Sequence, residues 1–241
     1  MKIHRNLFYV CLTGIMIFYI MNLIDSMYLS DFRFGGIVLW GCLITNVIFI
    51  INLLFESDVR MKELLVRLLV LIVFILITIY LKNYMTIYST ILSVYLFDLG
   101  FLLAKIICEK IHINQTIRKY LFIAVPLGLV FRLPTYINGE NVMLVSSDGY
   151  MYAIIFDTYL QWFLNFLLAV YLGTIIILSD RTSTFNLIAS IIYLVILLIW
   201  PKVIATHGLN DSNLVMNSFA FLISYILIYF YNRRQNKVNI V

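Results

Sequence analysis

The sequence predicts an all-α fold, a polytopic bundle of about eight transmembrane helices in one domain over residues 1–241, with seven as the alternative. Three observations carry that expectation. Of the 241 residues, 63% are hydrophobic and 12% are charged, where soluble domains have roughly 45–50% and about 25%. The mean hydropathy is +1.00. The apolar residues fall in long blocks with basic residues at their ends, so too few charges remain to coat a soluble surface.

A helix that crosses the hydrocarbon core needs about 20 apolar residues. The first candidate is Leu7–Ile24, entered directly from the basic stretch Met1–Arg5. That opening resembles a signal peptide, but no small-x-small cleavage site precedes Asp25, so an uncleaved helix is expected. Gly35–Phe55, Leu64–Leu81 and Tyr84–Ile107 follow. The fifth, Tyr120–Thr135, is the weakest, because Pro126 interrupts it and Arg132 stands near its end. A kinked or re-entrant element fits there if protein or water satisfies its backbone; without it the count is seven. Tyr150–Leu178, Phe185–Trp200 and Leu214–Tyr231 complete the set.

Short loops on the cytoplasmic side collect lysine and arginine. With the N-terminus inside, 13 of the 17 basic residues lie on that side, including Arg67, Lys105, Arg118, Lys119 and Arg181. The other four, Arg33, Lys82, Arg132 and Lys202, lie outside. Eight crossings return the C-terminus inside with Arg233 and Arg234 as its anchor, so the charge bias favours eight. The longest outer loop, Tyr136–Gly149, contains the turn signal Asn138–Asn141. The abundance of Ile, Asn, Lys, Tyr and Phe points to an AT-rich coding sequence.

The +5 formal charge does not indicate nucleic acid, because the basic residues flank apolar runs instead of clustering on a soluble face. Cys11, Cys42 and Cys108 are too far apart for a zinc motif and read as small buried hydrophobes. The chain has no Gly-rich phosphate loop, no His-Glu-x-x-His and no pattern for another cofactor or metal. Ionisable groups within apolar spans are costly and are therefore functional candidates. Asp98 heads them, about 13 Å from the cytoplasmic end of the fourth span at 1.5 Å per residue. It reads either as an ion or substrate contact or as an interhelical hydrogen-bond anchor. Lys105, seven residues on, shares its helix face. Arg132 and Asp157 form a second candidate group near the outer boundary, where they can pair or gather substrate. Glu56, Asp58, Arg60, Lys62 and Glu63 form a charged cytoplasmic turn suited to docking an ATPase or anchoring in headgroups.

A compact, loop-poor, all-helical chain with basic cytoplasmic turns resembles the membrane-spanning permease subunits of bacterial ABC transporters of the peptide-export and immunity type. The resemblance is architectural and covers the whole chain. It implies export of a peptide or other amphipathic substrate, driven by a separate cytoplasmic ATPase, in a lipid bilayer and with a homodimer as a further possible partner. It implies no catalytic site in this chain. The alternative is a membrane-embedded enzyme or assembly factor of envelope chemistry, acting at the outer face through residues such as Ser146, Ser147, Asp148 and His207.

Overall fold

Runs of leucine, isoleucine, valine and phenylalanine build the helices of the described residues. The computed structural model describes residues 2–28, 35–55, 61–80, 90–132, 147–204 and 212–238. They form α1 (Lys2–Tyr28), α2 (Gly35–Phe55), α3 (Met61–Tyr80), α4 (Thr90–Cys108), α5 (Gln115–Tyr120), α6 (Ser147–Leu178), α7 (Thr184–Ile204) and α8 (Ser212–Val238). A 3₁₀ segment, Leu121–Arg132, follows α5 directly. No strand occurs among the described residues, so the fold is all-α.

α4 is the central helix, and its sequence explains why. From Val94 to Leu102 every residue but Leu96 is buried, so this helix has no polar face to give to solvent. An all-round apolar helix is stable only when surrounded. α4 packs against α1, α2, α3, α6 and α8, and its most extensive partner is α6. Small residues on both helices permit that approach: Gly100 and Ala104 on α4, Ala169 and Gly173 on α6, each pair four residues apart. A Cβ on Gly100 would stand 2.5 Å from the Ala169 Cβ and 2.8 Å from the Phe166 carbonyl oxygen. One on Gly173 would meet the Ala104 Cβ at 2.8 Å. Such small-xxx-small pairs let helix backbones come close where van der Waals packing supplies the attraction.

Two apolar clusters make up the core. One gathers Phe8, Phe49, Phe97, Phe101, Phe122, Phe221 and Tyr225 with aliphatic residues of α2, α6 and α8. The other gathers Leu12, Ile15, Tyr19, Cys42, Phe74, Val94, Tyr95 and Leu99. Tyr19 and Phe74 stack with centroids 4.1 Å apart, and the Tyr19 hydroxyl donates to the Phe74 carbonyl at 3.0 Å. Cys11, Cys42 and Cys108 are buried free thiols, as the sequence predicts.

The segment expected to be kinked at Pro126 is a 12-residue 3₁₀ helix. Most 3₁₀ runs stop after three or four residues, because their hydrogen bonds are poorer than those of an α-helix. Here the three-residue period matches the burial: Phe122 and Gly128 are buried and Val125 is half-buried, while Ile123, Pro126 and Leu127 are exposed. Packing on α6 and α7 stabilises the segment, with the Tyr171 hydroxyl donating to the Ala124 carbonyl at 2.6 Å.

Two of the outer helices carry large apolar residues on their surface. On α3, Leu65, Leu69, Ile72 and Leu76 are each more than half exposed, and on α7 Ile188, Leu198 and Ile199 are too. Among the described residues, no helix is long and apolar enough to cross a membrane.

Candidate functional site

The site begins with two charges that the fold places where water does not reach. Arg67 on α3 and Asp98 on α4 are 2% and 0% exposed. They lie between the two apolar clusters, since Phe97 and Leu99, the neighbours of Asp98, belong to different ones. The Arg67 Nη1 stands 3.6 Å from the Asp98 Oδ2. That distance allows Coulomb attraction but is too long for a hydrogen bond.

The surroundings hold the guanidinium more firmly than the carboxylate. The Arg67 carbon Cζ lies 4.2 Å from the centroid of Phe49, a cation–π contact. Its Nη2 donates to the Phe8 carbonyl at 3.4 Å. The Tyr95 hydroxyl, one turn before Asp98, donates to the Arg67 carbonyl at 2.7 Å and fixes α3 to α4 at this level. By contrast, among the described residues both carboxylate oxygens of Asp98 and the Arg67 Nη1 have no hydrogen-bond partner. Asn46, one turn from Phe49 on α2, is also buried, with no partner among the described residues for its amide nitrogen and oxygen.

At an effective dielectric near 20, charges this far apart attract by about 4–5 kcal/mol. Withdrawing each from water costs several kcal/mol. The pair is therefore close to break-even as a stabilising device. What distinguishes it chemically is a carboxylate with open acceptor positions beside a fixed cation, able to take a proton or a cationic group that reaches it.

A second polar assembly joins α5 to the turn between α6 and α7. Asn186 donates from Nδ2 to the Arg118 carbonyl at 3.0 Å and accepts from the Phe122 amide through Oδ1 at 3.4 Å. The Asp180 amide donates to the same Arg118 carbonyl at 3.0 Å, and the Tyr225 hydroxyl donates to the Asp180 carbonyl at 2.8 Å. Ser183 donates to the Lys119 carbonyl at 2.8 Å. These bonds satisfy the carbonyls at the end of α5 where the chain tightens into the 3₁₀ segment. They clamp the start of that segment to α7 and α8.

No family model, curated protein or solved structure matches the chain.

Of the residues singled out in the sequence, Asp98 is at the centre of the bundle. Lys105, on the same face of α4, instead lines a cleft near the end of that helix. Arg132 ends the 3₁₀ segment and Asp157 lies within α6, but their side chains, and hence their pairing, fall outside the described residues. Glu56, Asp58 and Arg60 fall outside them too. Lys62 is exposed on the first turn of α3, and Glu63 is half-buried, its Oε2 without a hydrogen-bond partner among the described residues. Among the described residues, no group of three His, Cys, Asp or Glu is placed to hold a metal ion.

Sequence reasoning missed Arg67 as a site residue by counting it as a topological anchor. A signal was present: it is the one charge inside the apolar run Leu64–Leu81. A buried arginine there requires a partner, and α4 offered a single carboxylate.

Proposed function

We propose that the chain is a membrane-embedded permease subunit, with the Arg67–Asp98 pair on the path of an ion or a charged group of the substrate. The observation that carries this reading is the buried pair itself, with a carboxylate that has no hydrogen-bond donor among the described residues. Ionisable groups kept inside a bundle at such cost mark ion and substrate pathways in membrane proteins. The substrate class proposed is a peptide or other amphipathic molecule. Energy comes from a separate ATPase, for which the turn Glu56–Glu63 offers a docking element and Lys62 an exposed charge.

The bilayer part of the reading rests on the surface. α3 and α7 bear large aliphatic residues more than half exposed on several sides, a surface that water would penalise at roughly 25 cal/mol per Å². Among the described residues no helix is long and apolar enough to cross a membrane, and the reading rests instead on this surface together with the 63% hydrophobic composition and the uncharged 21-residue run of α2.

Two measurements test the reading. The chain is expected to stay in the membrane fraction through alkaline carbonate, with reporters after Asn236 reading inside and within Tyr136–Gly149 reading outside. Release by carbonate would refute embedding, and an external C-terminus would refute eight crossings. In inverted vesicles containing the chain and its ATPase, Asp98→Asn is expected to insert at wild-type level and lose ATP-dependent uptake of peptide. Uptake at the wild-type rate would remove Asp98 as a charged element of the path.

A further inference from the structure

The end of α4, the turn that follows it, α5 and the α6–α7 turn enclose a cleft of about 410 Å³. Lys105, Arg118, Arg181 and His112 line it, against one carboxylate, Glu109. The Arg118 Nε donates to the Leu178 carbonyl at 2.9 Å, which ties the guanidinium to the last turn of α6. Its Nη groups have no hydrogen bond among the described residues, and neither Arg118 nor Arg181 has an ion pair among them. The Oδ1 of the nearby Asp180 accepts from the amide and hydroxyl of Thr182 at 2.9 and 2.8 Å, and its carboxylate forms no ion pair with either arginine among the described residues.

Two guanidiniums therefore share one cleft, and neither is ion-paired among the described residues. Burial first, and the charge of Arg118 second, push the Arg181 pKa below the ordinary guanidinium value. An anion in the cleft would offset both by supplying counter-charge. The fork of a guanidinium matches the oxygens of a phosphate, and two forks with an ammonium alongside suit one phosphate group better than a carboxylate. The apolar surroundings narrow the class further. Ile111 lines the cleft, and Ile107, Ile111 and Ile117 are 49%, 42% and 52% exposed. Aliphatic side chains beside a cationic cleft match an amphiphile with an anionic head.

We propose that this cleft binds a phosphate ester, with Arg118 and Arg181 donating to the phosphate and Lys105 beside it. The phosphate comes either from a phospholipid headgroup, with its acyl chains along the exposed isoleucines, or from a soluble phosphate ester. The headgroup source rests on the membrane reading given above, whereas the cleft itself does not.

The test uses the full chain in dodecyl maltoside micelles, which carry no phosphate, with phosphatidylglycerol, glycerol 3-phosphate and inorganic phosphate as separate probes. Arg118 is left intact because it also holds the end of α6. Arg181→Gln combined with Lys105→Gln is expected to weaken binding of the effective probe by about tenfold or more, as expected for lost charged hydrogen bonds. Arg181→Lys, which keeps the charge without the fork, should fall between. Lys110→Gln, outside the cleft, should bind as wild type. Binding of phosphatidylglycerol alone identifies a headgroup site, and binding of glycerol 3-phosphate or inorganic phosphate without it identifies a soluble ester. Unchanged binding in the double variant for every probe, or an equal loss in Lys110→Gln, would overturn the proposal. If the double variant does not melt as a folded protein, Arg181→Lys decides alone, and wild-type affinity there refutes the site. A chain released by carbonate that still binds glycerol 3-phosphate would refute the permease reading and keep the cleft.

Discussion

Replacing Asp98 with leucine while Arg67 remains is expected to destabilise the fold by about 3–5 kcal/mol, the usual cost of stranding a buried charge. The reason is local. The Arg67 guanidinium would keep its contact with Phe49 and its bond to the Phe8 carbonyl, but nothing would balance its charge. Arg67→Leu should also be harmful, because among the described residues Asp98 has no hydrogen-bond donor and no other counter-charge. The double variant is expected to regain most of the loss, since two aliphatic side chains fill the seam between the apolar clusters without desolvated charge. Thermal unfolding of the four proteins in one detergent gives the coupling energy directly. Additive single losses would show that the two groups do not interact, and the pair would then be discarded as a unit. A double variant that is stable yet inactive would separate function from folding at this site.

The second large effect is expected where α4 crosses α6. Gly173→Ala places a methyl group 2.8 Å from the Ala104 Cβ, so one of the helices has to shift. Overpacking of this kind costs about 1–3 kcal/mol. Ala104→Gly in the same protein removes the obstructing methyl, leaving the Phe101 Cα at 3.3 Å as the next neighbour, and should restore most of the stability. Gly100→Ala behaves differently. Ala169→Gly removes one clash, but the Phe166 carbonyl at 2.8 Å is backbone and stays in place. Rescue at Gly100 should therefore be incomplete. Equal rescue at both positions would mean that the crossing adjusts as a rigid unit and that the backbone contact is not limiting.

Much of the fold was legible because apolar runs reveal helices whatever surrounds them. Gly35–Phe55 has the same ends in sequence and structure, since glycines open it and charges follow it. The weak fifth segment was recognisable from Pro126, but its 3₁₀ form was not, because a period of three over twelve residues is set by how Phe122, Val125 and Gly128 seat on α6 and α7. Asp98 stood out as a carboxylate in an apolar run. Arg67 did not, because a long basic side chain near a helix end ordinarily reaches toward the headgroups. Only the packing of α3 on α4 turns it inward. The cleft was less visible still, for it joins residues more than 60 positions apart, Arg118 and Arg181 among them.

The 3₁₀ segment also acts as a spacer whose length is set by its winding. Twelve residues at about 2.0 Å each reach about 24 Å, whereas the same residues as an α-helix would reach about 18 Å at 1.5 Å each. Pro126 opposes the shorter form, because in an α-helix its ring would press on the carbonyl of Phe122. The near end is pinned by Asn186 at the Phe122 amide. The difference of about 6 Å, close to one α-helical turn, is thus carried wholly to the far end, where Arg132 stands. Winding in this segment sets how far that arginine is held from the clamp.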